Sequence, residues 1–393
     1  MAEPRPAEPR LPARVDVAVV GAGPVGLYTA ILLAEAGVRV VVLEQRREPG
    51  TQSRAIGIHP PALAALDRAG VAGDLVRRGV AIRHGEARRR GRLIAPLAFE
   101  AVPGAFPFVL ALPQRETERV LADRLAAAGV VPLRGVQVHQ LWQEPGGVHV
   151  RSARGEVEAR FVIGADGARS TVRAAAGIGA RVREYPDTYV MGDFPDHDLS
   201  GAERRAVLYL ERQGVVESFP LPGGVRRWVV RTPRLEGEPT AVALARMVEH
   251  RTGVGIDPAG NTMLSSFAVR RRIADRLVSG RIALVGDAAH EVSPIGGQGM
   301  NLGWLDAARL APLVSAVVGE GLGHDATRRL ERYGAERRRA AQRAARQAHV
   351  NMMLGRPLPA PAAAVRDAAL TRLAAHGRWH DAVARVFTMS ELA

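Results

Sequence analysis

A chain of 393 residues with 47% apolar and 24% charged residues has the make-up of an ordinary globule, long enough for a large domain and a second lobe. It contains no cysteine, and all 54 basic residues are arginine, which excludes disulfides, cysteine-held metals, thiol catalysis, a cysteinyl cofactor link and any catalytic lysine. The net charge of +14 is scattered, with short clusters at Arg88-Arg89-Arg90 and Arg337-Arg338-Arg339 and no aromatic interleaving, so it reads as a solvated basic surface and not a nucleic-acid groove.

Residues 1–14 are Pro, Arg, Glu and Ala without an apolar centre, which predicts a loose tail and no signal peptide. No apolar run approaches the roughly 20 residues that span a bilayer, and the expected location is the cytoplasm. Residues 15–20 form a nearly continuous apolar run, as a buried parallel strand does. Gly21-Ala-Gly23-Pro-Val-Gly26 follows, then an Ala/Leu-rich helix stopped by Gly37, and a second apolar strand over 38–44. Residues 60–79 predict a helix with Pro60 and Pro61 near its start. Residues 81–108 read as irregular or as short strands, and 114–128 as a helix closed by Gly129. Strands are expected at 136–141 and 148–151 around the turn Pro145-Gly146-Gly147, and at 160–164 leading into Ala165-Asp166-Gly167. Residues 180–270 carry short strand patterns (188–191, 206–210, 215–219, 227–231), the turn Pro222-Gly223-Gly224 and a helix around 240–250. That pattern predicts an antiparallel sheet inserted into a nucleotide-binding fold. A strand at 282–285 then runs into Gly286-Asp287, a Pro/Gly-rich loop and a helix start. Beyond Asn301 the chain is mainly helical, with Pro312 as a kink or break.

Three motifs carry chemistry. In Gly21-x-Gly23-x-x-Gly26 the first glycine permits the tight turn, the second lets the backbone approach a pyrophosphate, and the third lets helix and strand pack closely. Glu44, at the end of the next strand, can take the two hydroxyls of an adenosine ribose. Asp166-Gly167, taken alone, is a turn with Ser170 as a helix N-cap. Gly286-Asp287 sets a carboxylate at a strand end, and the loop Pro294-Ile-Gly-Gly297-Gln-Gly299-Met300-Asn301 brings free amides at a helix start nearby. The carboxylate suits hydroxyls of a sugar-like chain and the amides suit developing negative charge, a combination that a flavin satisfies.

In this order and spacing the motifs resemble the para-hydroxybenzoate hydroxylase family of single-component FAD-dependent monooxygenases. The resemblance implies an α/β fold: a Rossmann-like FAD-binding domain with an inserted antiparallel β-sheet substrate domain and C-terminal helices. The expected division is a tail at 1–14, a discontinuous FAD-binding domain at 15–179 with short substrate-domain strands around 81–108, a substrate sheet at 180–270, completion of the FAD-binding domain at 271–320, and a helical region at 321–393. It also implies that Gly21, Gly23 and Gly26 are the nucleotide fingerprint and that Asp166 and Gly167 serve FAD and reduced nicotinamide. Gly286 and Asp287 would hold the ribityl chain, and Gly297, Gly299, Met300 and Asn301 the flavin ring. Arg54 matches an arginine near the pyrophosphate, and Gln114 and Arg115 match contacts to FAD. The likeness extends through Leu330-Glu-Arg-Tyr333-Gly-Ala-Glu-Arg-Arg338 and is weakest over 180–270. The chain has no stretch like the thioredoxin-like domain of longer phenol and polyketide hydroxylases. It lacks the Trp-x-Trp-x-Ile-Pro signature and lysine of flavin halogenases. A single glycine fingerprint, where Baeyer–Villiger-type enzymes have two, implies transient nicotinamide binding.

The implied activity is hydroxylation of an aromatic, phenolic or polyketide-like small molecule with non-covalent FAD, NADH or NADPH and dioxygen, through a flavin C4a-hydroperoxide. Amides near Met300 and Asn301 would stabilise the N1–C2=O edge of reduced flavin, and Pro294 would border the oxygen-transfer site. His59 is the first candidate for a substrate base, followed by Tyr189, Tyr209 and His290, each with packing or structural hydrogen bonding as the simpler reading. Arg212, Arg227 and Arg231 are candidates for a substrate carboxylate, with plain surface charge as the simpler reading. An epoxidase or alkene reductase of the same fold, and a scaffold without redox chemistry, are the alternatives. The expected partners are a small aromatic substrate and dioxygen, without nucleic acid, metal or membrane span, in a monomer or homodimer.

Overall fold

The computed structural model describes residues 10–50, 55–100, 102–196, 204–375, 384–385 and 387–389; residues 1–9 of the expected tail and Arg54 lie outside them. The nucleotide half is built on a sheet whose central strands are parallel. Arg14–Val20 lies between Val40–Glu44 and Gly155–Gly164, and Ile282–Leu284 adds in parallel beyond the latter. The apolar run at 15–20 has no polar alternation because both faces of this sheet are covered. Val17 and Val19 enter the core under the helices, whereas Ala18 and Val20 enter a second core on the far face. Gly155–Gly164 is longer than the 160–164 strand expected from sequence. Its first half also forms a hairpin with Gly147–Ser152, which pairs in turn with Val138–Glu144.

The second sheet is mostly antiparallel, in the spatial order His290–Glu291, Met263–Ala274, Ala180–Pro195, Val225–Thr232, Gly214–Leu221, Ala206–Glu211, His84–Arg89 and Arg92–Ala98. Of the stretch 81–108, His84–Arg89 and Arg92–Ala98 extend this sheet, joining through a parallel pairing of Ala206–Glu211 with His84–Arg89, whereas Val80–Ile82 pairs with Val109–Ala111 in a separate three-stranded sheet. Met263–Ala274 gave no clear signal in the sequence, because its Arg270-Arg271-Arg272 run obscures the apolar alternation. Alternation sorts the rest of the sheet. Val190, Phe194, Val216, Trp228 and Val230 pack beneath the helix Ala241–Thr252. Tyr189, Met191, Val215 and Val229 face the other way, toward Ile295 and Met352.

Residues 60–79 form two helices, Pro60–Asp67 and Ala72–Arg78, separated where Gly70 takes a φ of 68°. Pro312 does not end its helix: Gln298–Glu320 runs through it as one element. By length and composition that helix is able to cross a membrane, but it is mostly buried inside the protein. It crosses the fingerprint helix Pro24–Glu35 at contact distance, with Trp304 Nε1 donating to the Pro24 carbonyl at 3.1 Å. A Cβ on Gly303 would stand 2.5 Å from Val25 Cγ2 and 3.0 Å from Gly286 Cα. We therefore expect Gly303→Ala to lower stability by about 1–3 kcal/mol through overpacking, read as a lower midpoint in urea with an unchanged m-value.

Candidate functional site

A cavity of about 1320 Å³ lies between the two sheets, more than the 300–1,000 Å³ typical of a site for one small ligand. Its wall includes Gly21, Gly23, Glu44, Gln114, Asp166, Gly167, Gly286, Asp287, Pro294, Gly297, Gly299, Met300 and His59. Segments far apart in sequence therefore converge on one space. Gly26 and Asn301 stand behind the wall as packing and hydrogen-bonding residues. The Arg115 side chain is exposed, beside Glu116.

The fingerprint glycines divide by what surrounds them. A Cβ on Gly21, whose φ is 109°, would meet the Ala165 carbonyl at 2.4 Å, and one on Gly26 would meet the Gly21 carbonyl at 2.0 Å. Those two are required by the protein's own backbone. Nothing lies within 4 Å of a Cβ on Gly23, so the space it leaves belongs to the cavity. The helix beginning at Pro24 has no side-chain cap and no acidic residue in its first turn, which leaves its amides for an anion. Glu44 ties the turn together: Oε2 accepts from Ala22 N at 2.8 Å and Oε1 from Arg46 N at 2.9 Å and Nε at 3.1 Å. Burial alone would raise its pKa, but these hydrogen bonds outweigh burial and hold the carboxyl below its ordinary value.

Asp166 works within the protein. Its carboxylate accepts from Ser170 Oγ at 2.5 Å and from Val172 N at 3.1 Å, and Ser170 caps the short helix Thr171–Ala175 through Arg173 N. Arg173, not anticipated from the sequence, donates to the Ala288 carbonyl at 2.9 Å and the Ala168 carbonyl at 2.8 Å. It clamps the Asp166-Gly167 turn to the Gly286-Asp287 turn. Asp287 is the opposite case. It makes no hydrogen bond with a described residue, and its carboxyl is open to the cavity while deeply embedded among protein atoms; that embedding pushes its pKa up to about 6. A nearby donor, such as a ligand hydroxyl, is what such a group lacks.

Gly297, with a φ of 67°, starts the long helix without a side-chain cap, and Gly299 and Met300 present that start to the cavity. Asn301 fixes its position. Its Oδ1 accepts from His59 N at 2.8 Å, and its Nδ2 donates to the Gly57 carbonyl at 2.9 Å and the Gly297 carbonyl at 2.6 Å. His59 Nε2 lies 2.9 Å from the Gly296 carbonyl, Nδ1 has no hydrogen-bond partner among the described residues, and burial pushes the ring pKa down to about 4. The ring is therefore neutral at physiological pH and committed to holding the 294–297 loop, a positioning task more than a base's. His290 is fully buried away from the cavity, in a network where Asp306 accepts from His290 Nε2 and from Arg337 Nε at 2.6 Å. Tyr209 lies on the far face of the second sheet, stacked on Trp228. Tyr189 is on the cavity side, buried against Phe267, and its hydroxyl has no hydrogen-bond partner among the described residues. Among the arginine candidates, Arg212 sits exposed at a turn, Arg231 bonds Asp187 at 3.3 Å, and Arg227 holds Asp193 at 2.6 and 2.7 Å.

The other end of the cavity is apolar, with Leu208, Leu210, Val215, Phe219, Val229 and Phe267 from the second sheet. The C-terminal helix Ala360–Ala375 closes it with Ala369, Leu370, Leu373 and Ala374. This helix was not assigned to the site from sequence, although its wall residues recur at helical spacing. Glu217, an acid on the sheet wall, also went unremarked.

An uncapped helix start behind an open glycine, a cavity-facing carboxyl without a partner among the described residues, a second uncapped helix start and an apolar chamber beside it make a site suited to a flavin nucleotide, with room for a second ligand. The family described as FAD binding domain matches residues 14–348. The chain is 36% identical over 333 residues to 6-methylpretetramide 4-monooxygenase of Streptomyces rimosus, covering 82% of this chain and 59% of that enzyme. It is 32% identical over 354 residues to para-nitrophenol 4-monooxygenase of Pseudomonas sp. strain WBC-3, covering 82% of each. The crystal structure of p-nitrophenol 4-monooxygenase from Pseudomonas putida DLL-E4 superposes with a TM-score of 0.86 at 27% identity, over 96% of this chain and 98% of that one. The chain belongs to the FAD binding domain family, in its branch of FAD-dependent aromatic monooxygenases. FAD is the cofactor of that family, and the chain spans less than two thirds of the length of the Streptomyces rimosus relative.

The His59 ring gives a testable pH dependence. Its folded pKa of about 4 lies below the ordinary 6.5, so between these values the unfolded chain binds a proton that the folded protein does not. Stability is accordingly lost as pH falls through this window. Urea unfolding at pH 7.5 and 5.0 is expected to show wild type losing about 2 kcal/mol more than His59→Gln.

Proposed function

We propose that the protein is an NAD(P)H-requiring, FAD-dependent monooxygenase that hydroxylates an aromatic, phenolic or polyketide-like small molecule. The observation that carries the reading is the single cavity joining the nucleotide motifs to the apolar chamber beneath the second sheet. Gly23 and the amides at the start of Pro24–Glu35 would take the pyrophosphate, with Glu44 at the adenosine ribose and Gln114 beside it. Asp287 would accept from the ribityl hydroxyls. When bound, the flavin supplies hydride acceptance from NADH or NADPH and activation of dioxygen for electrophilic oxygen transfer.

The remaining roles belong to the chain. The amides at the start of Gln298–Glu320 would stabilise negative charge on the flavin edge, as preorganised dipoles do for an oxyanion. Asn301 and His59 would hold that helix start and the Pro294 loop at the reacting end. The leucines, valines and phenylalanines of the sheet, with the C-terminal helix, would exclude water and hold an aromatic ring beside that end. The same reading takes the protein as a cytoplasmic monomer or homodimer.

Two outcomes are expected. Gly23→Ala should leave the urea midpoint of the FAD-free protein within about 0.5 kcal/mol of wild type while weakening FAD binding at least tenfold, read by flavin fluorescence quenching. With FAD bound, NADH or NADPH oxidation stimulated by a phenol should yield a product carrying label from labelled dioxygen; product without label excludes a monooxygenase.

A further inference from the structure

Three acids of the second sheet line the cavity: Glu86 pairs with Arg88 and Arg205 and Glu291 lies near Arg272, which leaves Glu217 as the one without a partner among the described residues. Glu217 sits mid-strand in Gly214–Leu221 and lines the cavity with Val215 and Phe219. Across the sheet its neighbours in register are Leu208 and Val229, both apolar and both in the cavity wall. The residue is 7% exposed and makes no hydrogen bond or ion pair with a described residue. A buried carboxyl without a partner is costly and is ordinarily satisfied by some group. Here the open side of the group is the cavity.

The other charged groups around this wall are already engaged with one another. Arg227 is held by Asp193, Arg231 and Arg356 by Asp187, Arg366 by Asp367, and Arg270 by Glu184. Tyr189 on the same face is stacked on Phe267. An anionic substrate entering the chamber would meet arginines already committed to Asp193, Asp187, Asp367 and Glu184 and, on the sheet wall itself, an acid.

We propose that Glu217 is the polar anchor of the substrate chamber: it hydrogen-bonds the hydroxyl of an uncharged phenol, and so selects hydroxyl-bearing aromatics over aromatic acids. This deepens the aromatic-monooxygenase reading and rests on it. Burial alone pushes the Glu217 carboxyl up to about 7, which suits a group that exchanges a proton near neutral pH. In that exchange the phenol O–H bond breaks, an O–H bond forms on the carboxylate, and the electron pair stays on the phenolate oxygen. The ring becomes more electron-rich, as electrophilic oxygen transfer requires. The carboxylate and the chamber's apolar walls supply this step without a further reactant.

The test compares 2-naphthol with 2-naphthoate, an uncharged phenol and an anionic acid on the same ring. Binding to the FAD-loaded protein at pH 7.5 is read from perturbation of the flavin absorbance, with no turnover required. Wild type should bind 2-naphthol at least tenfold more tightly than 2-naphthoate. Glu217→Leu should weaken 2-naphthol about tenfold, the loss expected for a hydrogen bond to a charged group. Glu217→Gln, close in shape, should tighten 2-naphthoate and bring the two ligands within about threefold. A wild type without the preference, or a preference unchanged in Glu217→Gln, overturns the assignment; the wild-type comparison stands if Glu217→Leu does not fold. If oxygen label enters product but the preference is missing, Glu217 is not the anchor and the monooxygenase reading survives. If the preference is present and no label enters, the reading of the reaction fails instead.

Discussion

The site depends on backbones that approach one another more closely than a Cβ permits. Gly21 lies against Ala165, Gly26 against Gly21, and Gly303 against both Val25 and Gly286. These contacts bring the fingerprint turn, the Asp166-Gly167 turn, the Gly286-Asp287 turn and the long C-terminal-half helix to a common centre. A side chain at any of them would separate the elements by the width of a methyl group. Close-packed interiors absorb such shifts only at a cost in stability, so bare positions here favour the arrangement of the cavity wall.

Polar links lock what the glycines bring together. Arg173 ties two turns through their carbonyls, and Asn301 joins a helix start to Gly57 and His59. Behind them Asp306 gathers His290 and Arg337 in a fully buried charged network, in which the opposite charges offset burial and hold the Asp306 carboxyl below its ordinary value. Networks of this kind are costly to break because each partner is left buried and unpaired. The division of labour is clear in the two Asp motifs. Asp166 spends its carboxylate on helix capping, whereas Asp287 keeps its own for the cavity.

Much of the nucleotide half was legible because its signals are local. Strand 15–20, the glycine spacing, the carboxylate at Glu44 and the helix start after Gly297 each follow from neighbours in sequence. The second sheet was less so. Its strands alternate between a face packed under Ala241–Thr252 and a face on the cavity, so short apolar patterns showed where strands lie but not which side meets the ligand. Tyr209 and Tyr189 read alike in sequence and stand on opposite faces. His59 was the first candidate for a base, with a packing or hydrogen-bonding role as the simpler reading, and only the fold revealed Gly296 as the partner for its ring.

The sequence by itself determined that a nucleotide with a long anionic and hydroxylated chain is bound, because each element of that recognition is a turn or helix start encoded within a few residues. Tertiary structure alone decided what meets the ring end of that nucleotide. The chamber is assembled from sheet strands, the 294–300 loop and a helix at 360–375, segments with no local motif whose side chains become a surface only when packed. Whether a carboxyl such as Glu217 is a solvated charge or a buried, unpaired group is a property of that packing, since burial and partners are fixed by distant residues and not by its own neighbours in the chain.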